Sequence, residues 1–289
     1  MKIVITGGSG LIGQAFIEEY SDKHDIIAIG RSDTDYSSAS LSRFLRGADV
    51  LINLAGIRFS RVYEANHLVP YLENVVLMEN LLTSCASHNL SNFVFASSIS
   101  VYSAEDKQPW IENAPCNPGN YYGLSKLLCE RIGAFYAGRY GIKVKNLRFA
   151  QVLSDREREG FLLRTVFDNA KAGNGQTIFG TGEGTRCYVY IRDAAHALMA
   201  AAEHPNECGS YNIAAPDPIS IKDLIATIDR VFGNASPATF LSGKPEDLNT
   251  YAMDVEAAKT VLGYQTMFSI EDAIQDIYTN EKRLDKTVY

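Results

Sequence analysis

ITGGSGLIGQAF, Ile5 to Phe16, sets Gly7, Gly10 and Gly13 at three-residue spacing between an apolar run, KIVIT (2–6), and a helical pattern, LIGQAFIEEY. A strand that turns sharply into a helix favours residues without a Cβ at the turn. The helix then offers its unpaired N–H groups and the positive end of its dipole to an anion. Spacing and context together predict a pyrophosphate held on the first helix. A dinucleotide cofactor is the implied ligand, gripped by Gly7, Gly10, Leu11, Ile12 and Gly13.

Outward from this turn, four more short β-branched runs follow: DIIAIG (25–30), DVLINLA (49–55), NFVFASS (92–98) and IKVKNLRF (142–149). None alternates cleanly, as expected of strands buried on both faces. Helical patterns lie between them, LVPYLENVVLMENLLTSCASH before the fourth run and YYGLSKLLCERIGAFYAGRY before the fifth. The alternation predicts βαβ units and an α/β fold with a doubly wound parallel sheet over residues 1–150. RSDTDYSSASLSRFLRGA, between the second and third runs, is short and polar and predicts an abbreviated crossover. Beyond residue 150 the pattern changes to helices near 161–172, 191–204, 220–233 and 270–283 around the Gly-rich AGNGQTIFGTGEG. This predicts a smaller carboxyl-terminal α/β substrate domain, 151–289, with 187–213 returning to the first domain.

Composition narrows the partners. The 289 residues are 46% hydrophobic and 21% charged, ordinary globular values, with a net charge of −7. No basic footprint invites nucleic acid, and no Lys/Arg run or long apolar stretch invites a membrane. The amino terminus carries no apolar leader or small-residue cleavage site, so cytoplasmic residence is expected. Five scattered cysteines form no C-x-x-C pair and read as reduced structural thiols, and the five histidines show no ligand spacing, so no metal is expected.

YYGLSK, Tyr121 to Lys126, follows the loop APCNPGN. Groups four apart stand on one helix face, so Tyr122 and Lys126 are neighbours, whereas Tyr121 points away by about 140°. A phenol is a poor base at neutral pH, and an adjacent ammonium favours its ionised form. Such a pair is able to move protons to and from an alcohol or ketone. Tyr-x-x-x-Lys alone is also an ordinary helix surface, so the surrounding motifs decide.

Those motifs resemble the extended short-chain dehydrogenase/reductase family, the NAD(P)-dependent nucleotide-sugar epimerases and dehydratases, over most of the chain. FVFASSISVYS matches the family's serine pair and Val-Tyr after the fourth strand, and the resemblance makes Ser98 catalytic. PGNYYGLSK maps the catalytic pair to Tyr122 and Lys126, and NVVLMENLL maps the family's asparagine, counted with the catalytic residues, to Asn74. The implied fold is a Rossmann domain in which Leu54, Ala55, Tyr122 and Lys126 join the glycine turn on the cofactor. TIFGTGEGTRCYVYIRDAAHAL resembles the segment that grips a sugar-nucleotide pyrophosphate. It places Arg186 on the substrate phosphates and Asp193 at the start of the following helix. SGKPEDLNTYAMD resembles the closing segment, with Lys244 where arginine is usual, and Ser98 completes the implied substrate contacts. The family's Asn after the fifth strand is absent, since Phe149-Ala150-Gln151 stands there. The charged run DREREG, Asp155 to Gly160, reads as a solvated loop ahead of the alternative that it carries a phosphate-binding arginine.

The resemblance implies hydride transfer at C-4 of a nucleotide-diphosphate sugar, as a 4-epimerase or a 4-keto reductase, in a homodimer paired through helices near 67–88 and 120–140. Dehydratases carry Asp-Glu after the catalytic hydroxyl; Ser98-Ile99-Ser100 has neither, which argues against dehydration. Gly30, Arg31 and Ser32 at the end of the second strand suit a 2′-phosphate and point to NADP(H) ahead of NAD(H), with Asp33 the residue that would serve NAD(H). Two other readings are a reductase of a non-nucleotide carbonyl substrate using NADPH and a non-catalytic cofactor sensor. Arg186 argues against the first and the Tyr122–Lys126 pair against the second.

Overall fold

The computed structural model describes residues 1–58, 67–243 and 246–286. The amino-terminal part runs β1 (Lys2–Thr6), α1 (Leu11–Tyr20), β2 (Asp25–Ile29), α2 (Ser38–Leu45), β3 (Val50–Asn53), α3 (Val69–Ser87), β4 (Asn92–Ser98), α4 (Tyr121–Tyr140) and β5 (Lys143–Phe149). The carboxyl-terminal part adds β6 (Gln151–Leu153), α5 (Leu162–Ala172), β7 (Thr177–Phe179), β8 (Thr185–Arg186), β9 (Tyr188–Tyr190), α6 (Ile191–Glu203), β10 (Gly209–Ile213), β11 (Ile219–Ser220), α7 (Ile221–Phe232), β12 (Thr239–Leu241), α8 (Glu256–Leu262) and α9 (Ile270–Lys286).

Among the described residues, six strands form one parallel sheet in the order β10-β5-β4-β3-β1-β2. Side chains alternate across it and both faces are covered. Ile3, Ile5, Val50, Ile52, Val94 and Leu147 pack toward Phe16 of α1 and Ala194 and Leu198 of α6. Val4, Leu51, Phe93, Phe95 and Val144 pack toward Leu41 of α2, Met78 and Leu81 of α3 and Cys129 of α4. This is the doubly wound α/β architecture that the apolar runs predict, with the short second crossover realised as eight-residue α2. β10 joins the sheet beside β5, so a segment from beyond residue 200 completes it. The chain reverses direction of travel between β1 and β3, and at such a switch point the carboxyl ends of the strands leave a crevice.

Local chemistry sets the helix ends nearest that crevice. The Asn120 side chain caps α4 by accepting from Gly123 N–H at 2.8 Å, and Gly141, at φ 71°, ends it. α1 begins at Gly10 with no side-chain cap, which leaves its first N–H groups unpaired by side chains. The smaller part is held in three two-stranded pairs, β6 with β9, β8 with β11 and β7 with β12, packed with α5, α7 and α9. No helix among the described residues is long and apolar enough to cross a membrane.

Candidate active site

A cleft of about 1600 Å³ opens along the carboxyl ends of β1 to β5. At its floor the chain passes from β1 through Gly7, at φ 71°, where an added Cβ would stand 2.7 Å from the Ala55 nitrogen. Only glycine fits both the backbone angle and the closeness of the β3 end. Thr6 Oγ1 donates to Asn53 Oδ1 at 2.7 Å and accepts from Ala55 N–H at 3.1 Å, which locks the ends of β1 and β3 together. Gly7, Gly10, Leu11, Ile12, Gly13, Leu54 and Ala55 all line the cleft. A cradle too tight for a Cβ, beside an uncapped helix N-terminus, fits the pyrophosphate of a dinucleotide.

The end of the cleft beside β2 is acidic as well as basic. Arg31 lines it, but its guanidinium pairs with Glu73 of α3 at 2.6 Å. Ser32 does not line it; its hydroxyl donates to Asp33, whose carboxylate also accepts from Gly30 N–H at 2.9 Å. Asp35 does line it. The Ser40 hydroxyl first, and then the Ser37 N–H, hold its carboxyl well below the usual range, at about 2. Sequence reasoning weighed Arg31 and Ser32 and missed Glu73 and Asp35.

At the other end Ser98, Tyr122 and Lys126 share one wall, with Asn74 close by. Tyr121 does not line the cleft. Lys126 is buried and donates from Nζ to the Ala96 carbonyl at 2.7 Å, with its ammonium 4.7 Å from the Phe95 ring centre and 5.8 Å from that of Tyr122. The Tyr71 ring meets Tyr122 edge-on at 6.1 Å. Ser98 Oγ accepts from Ser100 N–H at 3.1 Å and donates to Ser100 Oγ at 3.2 Å, so two hydroxyls stand together at the β4 end. Gly123 admits this arrangement: a Cβ there would lie 1.9 Å from the Ser100 carbonyl oxygen, so the absence of a side chain lets α4 touch the turn that carries Ser98.

Asn74, expected among the catalytic residues, lines the cleft and spends its side chain on the scaffold around it. Its amide accepts from Ile57 N–H at 2.6 Å and donates to the Ile57 carbonyl at 3.0 Å and to Ser125 Oγ at 3.2 Å; Ser125 in turn donates to the Tyr122 carbonyl at 2.8 Å. The loop after β3 is thereby tied to the first turn of α4.

The remaining expected residues fall differently. Arg186 does not line this cleft. It pairs with Asp247 at 3.0 Å, donates to the Thr185 carbonyl and lies over the Tyr251 ring at 4.8 Å. Lys244 lies outside the described residues. The charged run after β6, read as a solvated loop, puts Glu157 and Arg158 on the cleft wall instead. Arg158 stacks over Phe161 at 4.9 Å, and burial first, then the nearby charge of Arg58, lowers its pKa. Ala150 and Gln151, in the stretch where the family's asparagine is absent, line the cleft too.

Fold and site together define a nicotinamide-dependent enzyme of the extended short-chain dehydrogenase class. The NAD dependent epimerase/dehydratase family model matches residues 3–214, and the chain belongs to that family, as its motifs imply. It is similar to an uncharacterized UDP-glucose epimerase of Bacillus subtilis, 30% identical, with 97% of this chain and 96% of the relative covered. Among solved structures it is similar to UDP-N-acetylglucosamine 4-epimerase from Bacillus cereus, 30% identical with a TM-score of 0.88 over 98% of this chain and 96% of that one. It is also similar to a point mutant of UDP-glucuronic acid 4-epimerase from Bacillus cereus, in complex with UDP-4-deoxy-4-fluoro-glucuronic acid and NAD. That likeness is 25% identical with a TM-score of 0.84 over 98% of this chain and all of that one.

Proposed function

We propose that this chain is a UDP-sugar 4-epimerase that works on a retained nicotinamide dinucleotide. The observation that carries the reading is that Ser98, Tyr122 and Lys126 line the same cleft as the Gly7 turn, so that a sugar and a dinucleotide meet in one enclosure. Tyr122 takes the proton from the sugar O-4 and later returns it, with the Lys126 ammonium 5.8 Å from its ring centre. Ser98 hydrogen-bonds the same oxygen and keeps it in line. The dinucleotide, when bound, supplies the carbon that accepts hydride from C-4 and gives it back. Ile99 follows Ser98 and is unable to carry a proton, which supports epimerisation over loss of water. The names of the similar proteins favour a 4-epimerase over the 4-keto reductase, toward which the sequence leaned slightly.

For the cofactor the reading is NAD(H), a revision of the lean toward NADP(H). Arg31 is occupied by Glu73, and Asp35 adds a second carboxylate; both would repel a 2′-phosphate and suit a ribose diol. The Bacillus cereus relative in complex with NAD supports the same choice.

A homodimer through α3 and α4 belongs to the proposal. Leu128 and Phe135 on α4 are exposed away from the cleft, Phe135 61% accessible, while the exposed Val69, Leu72 and Val76 of α3 stand at the cleft beside them. Exposed large apolar residues on two adjacent helices suit contact with a second copy. Cytoplasmic residence is proposed with it, on the five free thiols. The functional reading is tested by incubating the protein, without added cofactor, with UDP-glucose, UDP-N-acetylglucosamine and UDP-glucuronic acid. Formation of a C-4 epimer supports it, and a demand for stoichiometric NADPH contradicts it.

A further inference from the structure

Tyr122, Lys126 and Glu130 recur every fourth residue along α4 and rise in one stripe on a single face. The first two line the cleft, whereas Glu130 does not and is only 5% exposed. Its Oε1 accepts from Ser97 Oγ at 2.5 Å and from Arg148 Nε at 3.0 Å; its Oε2 accepts from Arg148 Nη2 at 2.7 Å and from Ser210 Oγ at 3.4 Å. Arg148, 4% exposed, spends its other terminal nitrogen on the Tyr102 hydroxyl at 2.8 Å and the Glu112 carbonyl at 2.9 Å. Tyr102 donates onward to Asn212 Oδ1 of β10 at 2.8 Å.

Two charges taken out of water are a poor device for stability alone, because apolar side chains of the same volume hold a core as well or better. What this pair joins is specific. Ser97 immediately precedes Ser98, and Tyr102 closes the turn that contains Ser98 and Ser100. Glu130 stands one turn beyond Lys126. The planar fork of a guanidinium on a carboxylate fixes angle as well as distance, which an apolar contact would leave free to slide.

We propose that Glu130 and Arg148 are positioning residues: their buried bidentate pair sets the height and rotation of α4 against the end of β4, and so the separation of the Tyr122 and Ser98 hydroxyls across the sugar. This inference rests on the epimerase reading for its consequence in turnover, but not for its geometry.

The test is the double variant Glu130→Leu/Arg148→Met, which replaces the pair with apolar side chains of similar length, beside the milder Ser97→Ala. The double variant is expected to unfold at a denaturant concentration close to that of the unaltered protein and to keep its cofactor content. Its KM for the nucleotide sugar should change by less than about threefold while kcat falls by about 10- to 100-fold, the scale of an ångström-level misplacement. Its crystal structure should show the Tyr122–Ser98 separation altered by about 0.5 Å or more, the tolerance of a productive site. The structure reads the geometry even if no nucleotide sugar is epimerised by the unaltered protein, an outcome that would count against the functional reading alone. Should the double variant fail to fold, Ser97→Ala decides by the same two readouts, with a smaller loss of kcat at unchanged KM. Unaltered kcat or an unaltered hydroxyl separation in the folded variants would overturn the proposal. So would a loss of activity matched by a loss of bound cofactor.

Discussion

Lys126 donates from Nζ to the carbonyl of Ala96 across 2.7 Å, a bond that ties the first turns of α4 to the end of β4. With the helix so fixed, the Tyr122 ring and the Ser98 hydroxyl both line the cleft, and Tyr121, one residue earlier, does not. Tyr122→Phe is therefore expected to lower kcat by about 10²- to 10⁴-fold, the usual range for loss of a proton carrier. Cofactor binding should stay near normal, because little contact surface is lost. Tyr121→Phe should be mild. Steady-state kinetics of the two variants checks this, and comparable losses in both would reverse the assignment.

Glu73 and Arg31 form an exposed pair at the end of the cleft beside β2. Titration with both reduced cofactors should give tighter binding of NADH than of NADPH. Glu73→Gln leaves the Arg31 guanidinium without its carboxylate and should narrow that difference by strengthening NADPH binding, with NADH nearly unaffected. Tighter NADPH binding to the unaltered protein would restore the NADP(H) reading.

Much of the fold is legible in the sequence because it rests on local signals. The runs KIVIT, NFVFASS and IKVKNLRF become strands buried along nearly their whole length, and NFVFASS becomes β4 with its bounds unchanged, Asn92–Ser98. The helix YYGLSKLLCERIGAFYAGRY likewise spans Tyr121–Tyr140, bracketed by a capping asparagine and a glycine. What escapes the sequence is pairing over long separations. Nothing local reveals that Arg31 meets Glu73, that Asp247 engages Arg186, or that Glu130 closes on Arg148. Gly123 looks like a helix-weakening residue until its contact with Ser100 is known. The run DREREG reads as solvent-exposed by its charge, yet Arg158 reaches the cleft because Phe161 offers its ring as a platform.

Asp193, 1% exposed in the first turn of α6, accepts from Met267 N–H at 2.8 Å. Burial raises its pKa from 3.8 to about 6 despite that bond. The folded protein thus holds a proton that the unfolded chain releases, and stability linked to this group is fully present below pH 3.8 and declines as pH rises to about 6. The loss amounts to at most about 3 kcal/mol. An asparagine side chain in its place would keep an oxygen for Met267 and remain neutral, so the substitution Asp193→Asn should match the unaltered protein near pH 4 and exceed it in stability above about pH 6. Denaturant unfolding across that range measures the difference, and a variant that is less stable at pH 7 than at pH 4 relative to the parent would contradict the sign.

Leu128 and Phe135 present apolar side chains of α4 to solvent in the single chain, outside the cleft. Light scattering at micromolar concentration should report twice the chain mass of 31.8 kDa. Phe135→Glu, a charge placed where apolar surface is expected to be buried, should shift the mass toward the monomer. A monomeric parent protein would refute pairing through these helices.

In the proposed reaction hydride leaves C-4 of the sugar and returns to the same carbon from the opposite face while Tyr122 handles the proton on O-4. The most direct measurement uses a UDP-sugar carrying deuterium at C-4, incubated in ordinary water without added cofactor, with the product read by NMR. The expected product is the C-4 epimer with its deuterium still on C-4. Washout of the label into solvent, inversion at another carbon, or a 4-keto-6-deoxy product formed by loss of water would contradict it.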